Sequence, residues 1–283
     1  MTTTLPSPQG TFASPPAVNL SFVLVDQTTG DRPDLAPFLP KLRDSLDEAM
    51  NEHFAPFHGG TYALRVAASP SDRKPGEIAI NIRHQQTSDP QGALAWHQVT
   101  GGIPDIEINL DSTSGLTGDS DALDVCGSHE VMETAANPGA NLLADNLNGK
   151  VSAREACDRI EDTFFTTKNG LHASNFLIWA AWVPGAAGPY DYMMKLSSQL
   201  DANSNVTMTA GGYDIEGTTP SDLADVTPSK LAKDHVVSGE AEHIGPDGEK
   251  RVIHAVSRAP ISGKRLARKQ SRYSRAYRQG VRL

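Results

Sequence analysis

The sequence contains no apolar run approaching the ~18–20 residues that a membrane-spanning helix needs, which argues against an integral helical membrane protein. Its first residues, from Met1 to Pro16, are rich in Thr, Ser and Pro. They lack the basic start and apolar centre of a signal peptide. A flexible arm over residues 1–18 is expected, in a protein that is cytoplasmic or associated with a particle assembled there. Cysteine is scarce. Cys126 and Cys157 are the only two, too few for a disulfide framework and expected as free thiols in a reducing compartment. No internal repeat is present.

Charge is unevenly spread. The net charge is −9, yet from Lys264 to Leu283 there are eight basic residues and no acid. The remainder sets seventeen bases against the chain's 34 acids. An acidic body argues against nucleic acid as the partner of the main domain. The tail places Arg265, Arg268, Lys269, Arg272 and Arg275 on one helical face, with Tyr273 and Tyr277 as i,i+4 neighbours. That pattern suits an acidic protein surface, or nucleic acid, or a merely solvated arm; with the acidic body attached, protein contact is favoured.

With 38% apolar residues in 283, the chain can bury one sizeable domain with appendages, or two small domains. Residues 19–25 read as a strand. Leu39, Leu42, Leu46, Ala49, Met50 and Phe54 recur at helical spacing in and beyond the stretch punctuated by prolines 33, 37 and 40. Strands are expected over 62–67, 77–82 and 105–110, and a short one within 92–99. Ile78, Ile80 and Ile82 share one face, as do Ile106, Ile108 and Leu110. A polar loop over 111–120 leads into a helix from about Asp121 to Ala136, stopped by Asn137-Pro138. Beyond it, 169–192 reads as packed irregular structure, 219–235 as a linker and 236–263 as a hairpin extension before the basic tail 264–283.

The chemistry sits on that helix, in Ser128-His129-Glu130-Val131-Met132-Glu133. Positions i and i+4 share a helix face, so His129 and Glu133 can converge on one ion. In the zinc-protease motif His-Glu-x-x-His, the Glu beside the first His is the general base. Here Glu130 holds that place, and Glu133 replaces the second His. Glu is an acceptable zinc ligand, although its charge makes the metal a weaker activator of water. Alone, the spacing also fits a surface helix carrying two solvated acids. Glu155 and Asp158 follow downstream. A catalytic zinc takes three protein ligands and keeps one position open, so Glu155 is expected as the third ligand and Asp158 as a group orienting a ligand from behind. Cys157 is an alternative to Glu155.

The run Ser-His-Glu-Val-Met-Glu-Thr-Ala-Ala-Asn-Pro (128–138), followed by Glu-Ala-Cys-Asp-Arg-Ile-Glu-Asp (155–162), resembles a family of metallopeptidase-like proteins of tailed phages, prophages and bacteria. Its usual pattern is Ser-His-Glu-x-x-Glu-x-x-x-Asp/Asn-Pro, then Glu-Val-Cys-Asp-Pro. Further pieces match in order: His53-Phe54-Ala55-Pro56, Gln91 to His97, Ala173-Ser174-Asn175-Phe176, Gly188-Pro189-Tyr190-Asp191-Tyr192 and Gly211-Gly212-Tyr213. Plant phosphate-induced (exordium-like) proteins share a shorter version. The match spans roughly residues 40–215. Asn175 stands where the family has Asp, and Arg159 where it has Pro. The resemblance implies an α+β, zincin-like domain over 19–218, with a mixed sheet, a metal-binding active-site helix and bound Zn2+.

Two functions follow as expectations. One is a zinc metallopeptidase acting on a peptide or protein substrate, with Glu130 as base and His97, Tyr190 or His172 touching the substrate or an oxyanion. The other is a phage or prophage virion or accessory protein that keeps the fold as a scaffold, tethered by its arm and tail. Removal of residues 264–283 is expected to leave the core folded, because that segment has little apolar surface to bury. Association with an acidic partner should weaken on truncation and fall with added salt; salt-independent binding in a pull-down series would contradict an electrostatic arm.

Overall fold

A computed structural model of the protein describes residues 19–87, 89, 93–100, 103–138, 142–145, 151–183, 185–202, 206–217, 238–244 and 250–257. The N-terminal arm, the 219–235 linker and the basic tail lie outside the described residues. The fold is α+β, built on a mixed five-stranded sheet. Among the described residues, no helix is long and apolar enough to cross a membrane.

The first sheet has the order β2-β1-β3-β5-β4. Strands β1 (Asn19–Asp26), β2 (Thr61–Val66), β3 (Ile78–Arg83) and β5 (Ile103–Asn109) run parallel. At the edge, β4 (Ala95–Thr100) runs antiparallel to β5. The alternation read from sequence is realised: Phe22, Leu24, Ile78, Ile80, Ile82, Ile106 and Ile108 all join the main core. The opposite face is also covered, which alternation alone does not reveal. There Val23, Val25 and Ala79 form a small cluster. Beside it, Asn81 donates to Glu107 (2.9 Å), and Arg83 donates to Glu107 (2.5 Å) and Asp89 (2.6 Å). Burial pushes the Glu107 carboxyl above its ordinary range, while Arg83 and Asn81 pull it back.

Helix α1 (Leu35–Glu48) begins earlier than the spacing from Leu39 suggests. Pro37 falls in its first turn, where no N–H is needed. Pro40 lies inside the helix, where its ring removes a bond to the preceding turn. The helix continues as a π-turn, Ala49–Phe54, and a last turn, α2 (Ala55–His58). Asn51 clamps this run to β2, donating to the Tyr62 carbonyl (2.8 Å) and accepting from Tyr62 N–H (3.1 Å). Helix α3 (Leu123–Ala136) packs against β4 and β5. The approach is close, since a Cβ at Gly127 would lie in van der Waals contact with Ile108 Cδ1 at 3.4 Å.

On the far side of α3 the chain forms β6 (Leu143–Asp145), β7 (Val151–Ala153), β8 (Phe164–Thr166), β9 (His172–Ser174) and β10 (Tyr213–Gly217). The expected C-terminal hairpin is present as β11 (Ser238–Ile244) and β12 (Lys250–Ser257). Strand β12 pairs with β10, giving a second sheet in the order β11-β12-β10-β7-β6. Asn175 is a bracket in this region. It donates to Asp191 (2.7 Å) and Thr163 (3.0 Å), and accepts from the Phe176 and Met193 N–H groups. An Asp would lose that donor and face the Asp191 carboxylate.

His58 gives the core a pH signature. Its ring stacks on Phe54 at 4.0 Å, and Nε2 donates to the Leu177 carbonyl at 2.8 Å. Burial lowers its pKa to about 4, against a smaller opposing effect of the carbonyl. Between the ordinary value near 6.5 and about 4, the unfolded chain takes up a proton that the folded chain refuses. Stability therefore falls as pH drops through that window. Urea unfolding of wild type and His58→Gln should show the wild type losing about 3 kcal/mol more between pH 7 and pH 4; parallel pH curves would contradict this.

Candidate metal centre

Helix α3 starts after Ala122 with Asp124 in its first turn, where a carboxylate suits the helix dipole. Asp124 accepts from Thr117 Oγ1 (2.6 Å), Val125 N–H (2.9 Å) and His172 N–H (2.9 Å). Asn137 ends the helix. All fourteen residues of α3 are buried, polar ones included. The surface-helix alternative is therefore excluded: Glu130 and Glu133 are not solvated acids.

At about 100° per residue, His129, Glu133 and Glu130 fall at roughly 0°, 40° and 100° around the helix. Glu133 thus lies between the other two and can serve both. His129 Nε2 is 3.3 Å from Glu133 Oε1. The segment after β7 meets this face: Cys157 N–H donates to Glu133 Oε1 at 3.4 Å, and Cys157 Sγ lies 3.8 Å from the His129 carbonyl oxygen. This docking carries Asp158 Oδ1 to 3.3 Å from His129 Nε2.

Asp158, expected behind the ligands, stands in a group of potential ligands with His129 and Glu133. Glu155 is buried on the same segment but belongs to neither group of potential ligands. The chain turns once at Glu155, whose N–H donates to Ala153, and again in the 3-10 turn Asp158–Ile160. The second turn is the one that starts against Glu133. Its brace is Arg159, which donates to Asp214 (2.9 Å) and Ser152 (3.0 Å). Gly212 passes so close that a Cβ there would be 2.0 Å from the Arg159 carbonyl oxygen. Arg159 thus has a structural role in holding this turn.

The edge strand supplies the other side. His97 pairs in register with Ile106, so it shares the α3-facing side of the sheet, while Trp96 faces Arg83 on the other. His97 Nδ1 lies 3.2 Å from Glu130 Oε2 and 3.9 Å from Glu133 Oε2. His97 Nε2 is buried without a hydrogen-bond partner among the described residues. His97 was expected as a substrate contact; the structure makes it a fully buried member of the cluster. Tyr190 is in neither group, and its hydroxyl donates to the Ala186 carbonyl at 3.0 Å. His172 Nδ1 sits 3.9 Å from Asp124. Both cysteines are buried; Cys126 Sγ reaches the Ser120 carbonyl at 3.7 Å, and neither thiol belongs to a ligand group.

His97, His129, Glu130, Glu133 and Asp158 are each exposed by 2% or less. Ionised carboxylates so deep in a protein require counter-charge, hydrogen bonds or protons. A cation supplies the first, and the spacing suits one. Donors 2.0–2.2 Å from an ion in a tetrahedral site are about 3.3–3.6 Å apart. The two His129 contacts, both 3.3 Å, match such edges. The cluster can therefore hold a metal ion through His129, Glu133 and Asp158.

No family model matches the chain, and neither the curated proteins nor the solved structures yield a match.

The choice between Asp158 and Glu155 can be measured by metal titration. Asp158→Asn should weaken binding of a divalent ion at this triad by more than the ~10–100-fold that loss of an outer partner costs. Glu155→Gln should change it by less than about 10-fold. The reverse ranking would restore Glu155 as the ligand.

Proposed function

We propose that the chain is a zinc-dependent hydrolase of the metallopeptidase type, on a zincin-like domain. One observation carries this reading: α3 gathers His129, Glu130 and Glu133 into a single buried cluster with Asp158 and His97. The mixed sheet supports it, since an antiparallel edge strand, β4, lies against the helix that bears the motif. When bound, zinc would polarise the substrate carbonyl and make a water more acidic.

The protein's own groups divide the remaining work. His129, Glu133 and Asp158 hold the ion. Glu130 takes a proton from the attacking water as the water oxygen bonds to the carbonyl carbon. That proton then passes to the amide nitrogen as the C–N bond breaks. His97, against Glu130 Oε2, fixes the orientation of the base.

A second reading has an observation of its own. Structural metal sites are closed, whereas catalytic ones keep an open position, and every member of this cluster is closed off from solvent. A phage or prophage accessory protein using the ion for stability, tethered to its assembly by the basic tail, fits that burial.

Glu130→Gln separates the two. The hydrolase reading expects the variant to stay folded and keep the ion at His129, Glu133 and Asp158. Its turnover of a peptide library should be at least ~100-fold slower than wild type, the scale of a lost general base. Equal turnover removes Glu130 as the base. A metal-loaded wild type that turns over no peptide and loses thermal stability on chelation selects the structural reading.

A further inference from the structure

We propose that the cluster holds two divalent cations, bridged by Glu133. The first is the ion of the proposed function, on which this inference rests. The second would be held by His97 Nδ1, Glu130 Oε2 and Glu133 Oε2. The five potential donors fall into two sets of three, His129/Glu133/Asp158 and His97/Glu130/Glu133, each with its ligand atoms within 4.8 Å of one another. Glu133 alone belongs to both. Its oxygens divide accordingly: Oε1 lies 3.3 Å from His129, and Oε2 lies 3.9 Å from His97. The helix explains the division, because Glu133 sits angularly between His129 and Glu130.

The donor chemistry is the same on both sides. Each set offers one imidazole and two carboxylates, a nitrogen–oxygen environment that suits Zn2+ or Mn2+. Carboxylate-bridged pairs of this kind clamp both oxygens of a displacement. Glu130 would then hold the second ion through Oε2 and accept the water's proton on Oε1.

The test counts ions, so it does not depend on finding a substrate. The full chain is stripped of metal, loaded with excess Zn2+, desalted and assayed for zinc. Wild type should retain two ions per chain. His97→Gln, Glu130→Gln and Asp158→Asn should each retain one, with folding checked by circular dichroism. Loaded with Mn2+ instead, wild type should give the electron paramagnetic resonance spectrum of an exchange-coupled pair, and His97→Gln that of an isolated ion. One zinc at saturation in wild type overturns the second site and leaves the proposed function standing. No bound zinc overturns both. Two ions retained in His97→Gln would place the second ion elsewhere and also overturn the proposal. The wild-type count and spectrum decide the matter even where a variant fails to fold.

Discussion

Three carboxylates and two imidazoles share a buried space a few ångströms across, and the structure around α3 is arranged to make that possible. Removing an ion from water costs several kcal/mol even after a protein relaxes around it. The sheet closes the cluster on one side through β4 and β5, and the segment carrying Asp158 closes it on the other. The Arg159 brace to Asp214 and Ser152 reaches across to the second sheet, so both sheets bear on the position of one aspartate.

The opposite face of the first sheet shows how the same fold handles buried charge elsewhere. There Glu107 is met by Arg83 and Asn81, and Arg83 also meets Asp89. That network sets an arginine directly against its carboxylates. At α3 the side chains set against the carboxylates include two imidazoles, which are ligands as readily as they are hydrogen-bond partners. The first network meets its carboxylates with arginine, whereas the second sets imidazoles and carboxylates close enough to hold a cation.

Much of the scaffold was legible in the sequence because it rests on local periodicity. The alternation in β3 and β5, the helical spacing from Leu39 to Phe54 and the stop at Asn137-Pro138 each leave a mark on neighbouring residues. The i,i+4 relation of His129 and Glu133 is equally local, and their contact is present at 3.3 Å. What depended on long-range register was harder to read. His97 gains its place because it pairs with Ile106 across the β4–β5 ladder, which nothing in residues 91–99 states. Asp158 and Glu155 are separated by one turn, and their roles are decided by where that turn docks on Glu133. The burial of both faces of α3 also has no local signature, since a His-Glu-x-x-Glu stretch looks the same on a surface helix. The start of α1 at Leu35 was hidden by Pro37 and Pro40, which read as breaks although the first turn tolerates proline.

X-ray absorption at the zinc edge, on the zinc-loaded full-length protein, tests the central claim most directly. The account predicts nitrogen and oxygen scatterers at about 2.0–2.2 Å, with the outer-ring signature of imidazole and no sulfur. A sulfur scatterer near ~2.3 Å would bring Cys157 into the site and contradict the ligand set. Zinc seen only with a full shell of water oxygens would contradict the metal centre itself.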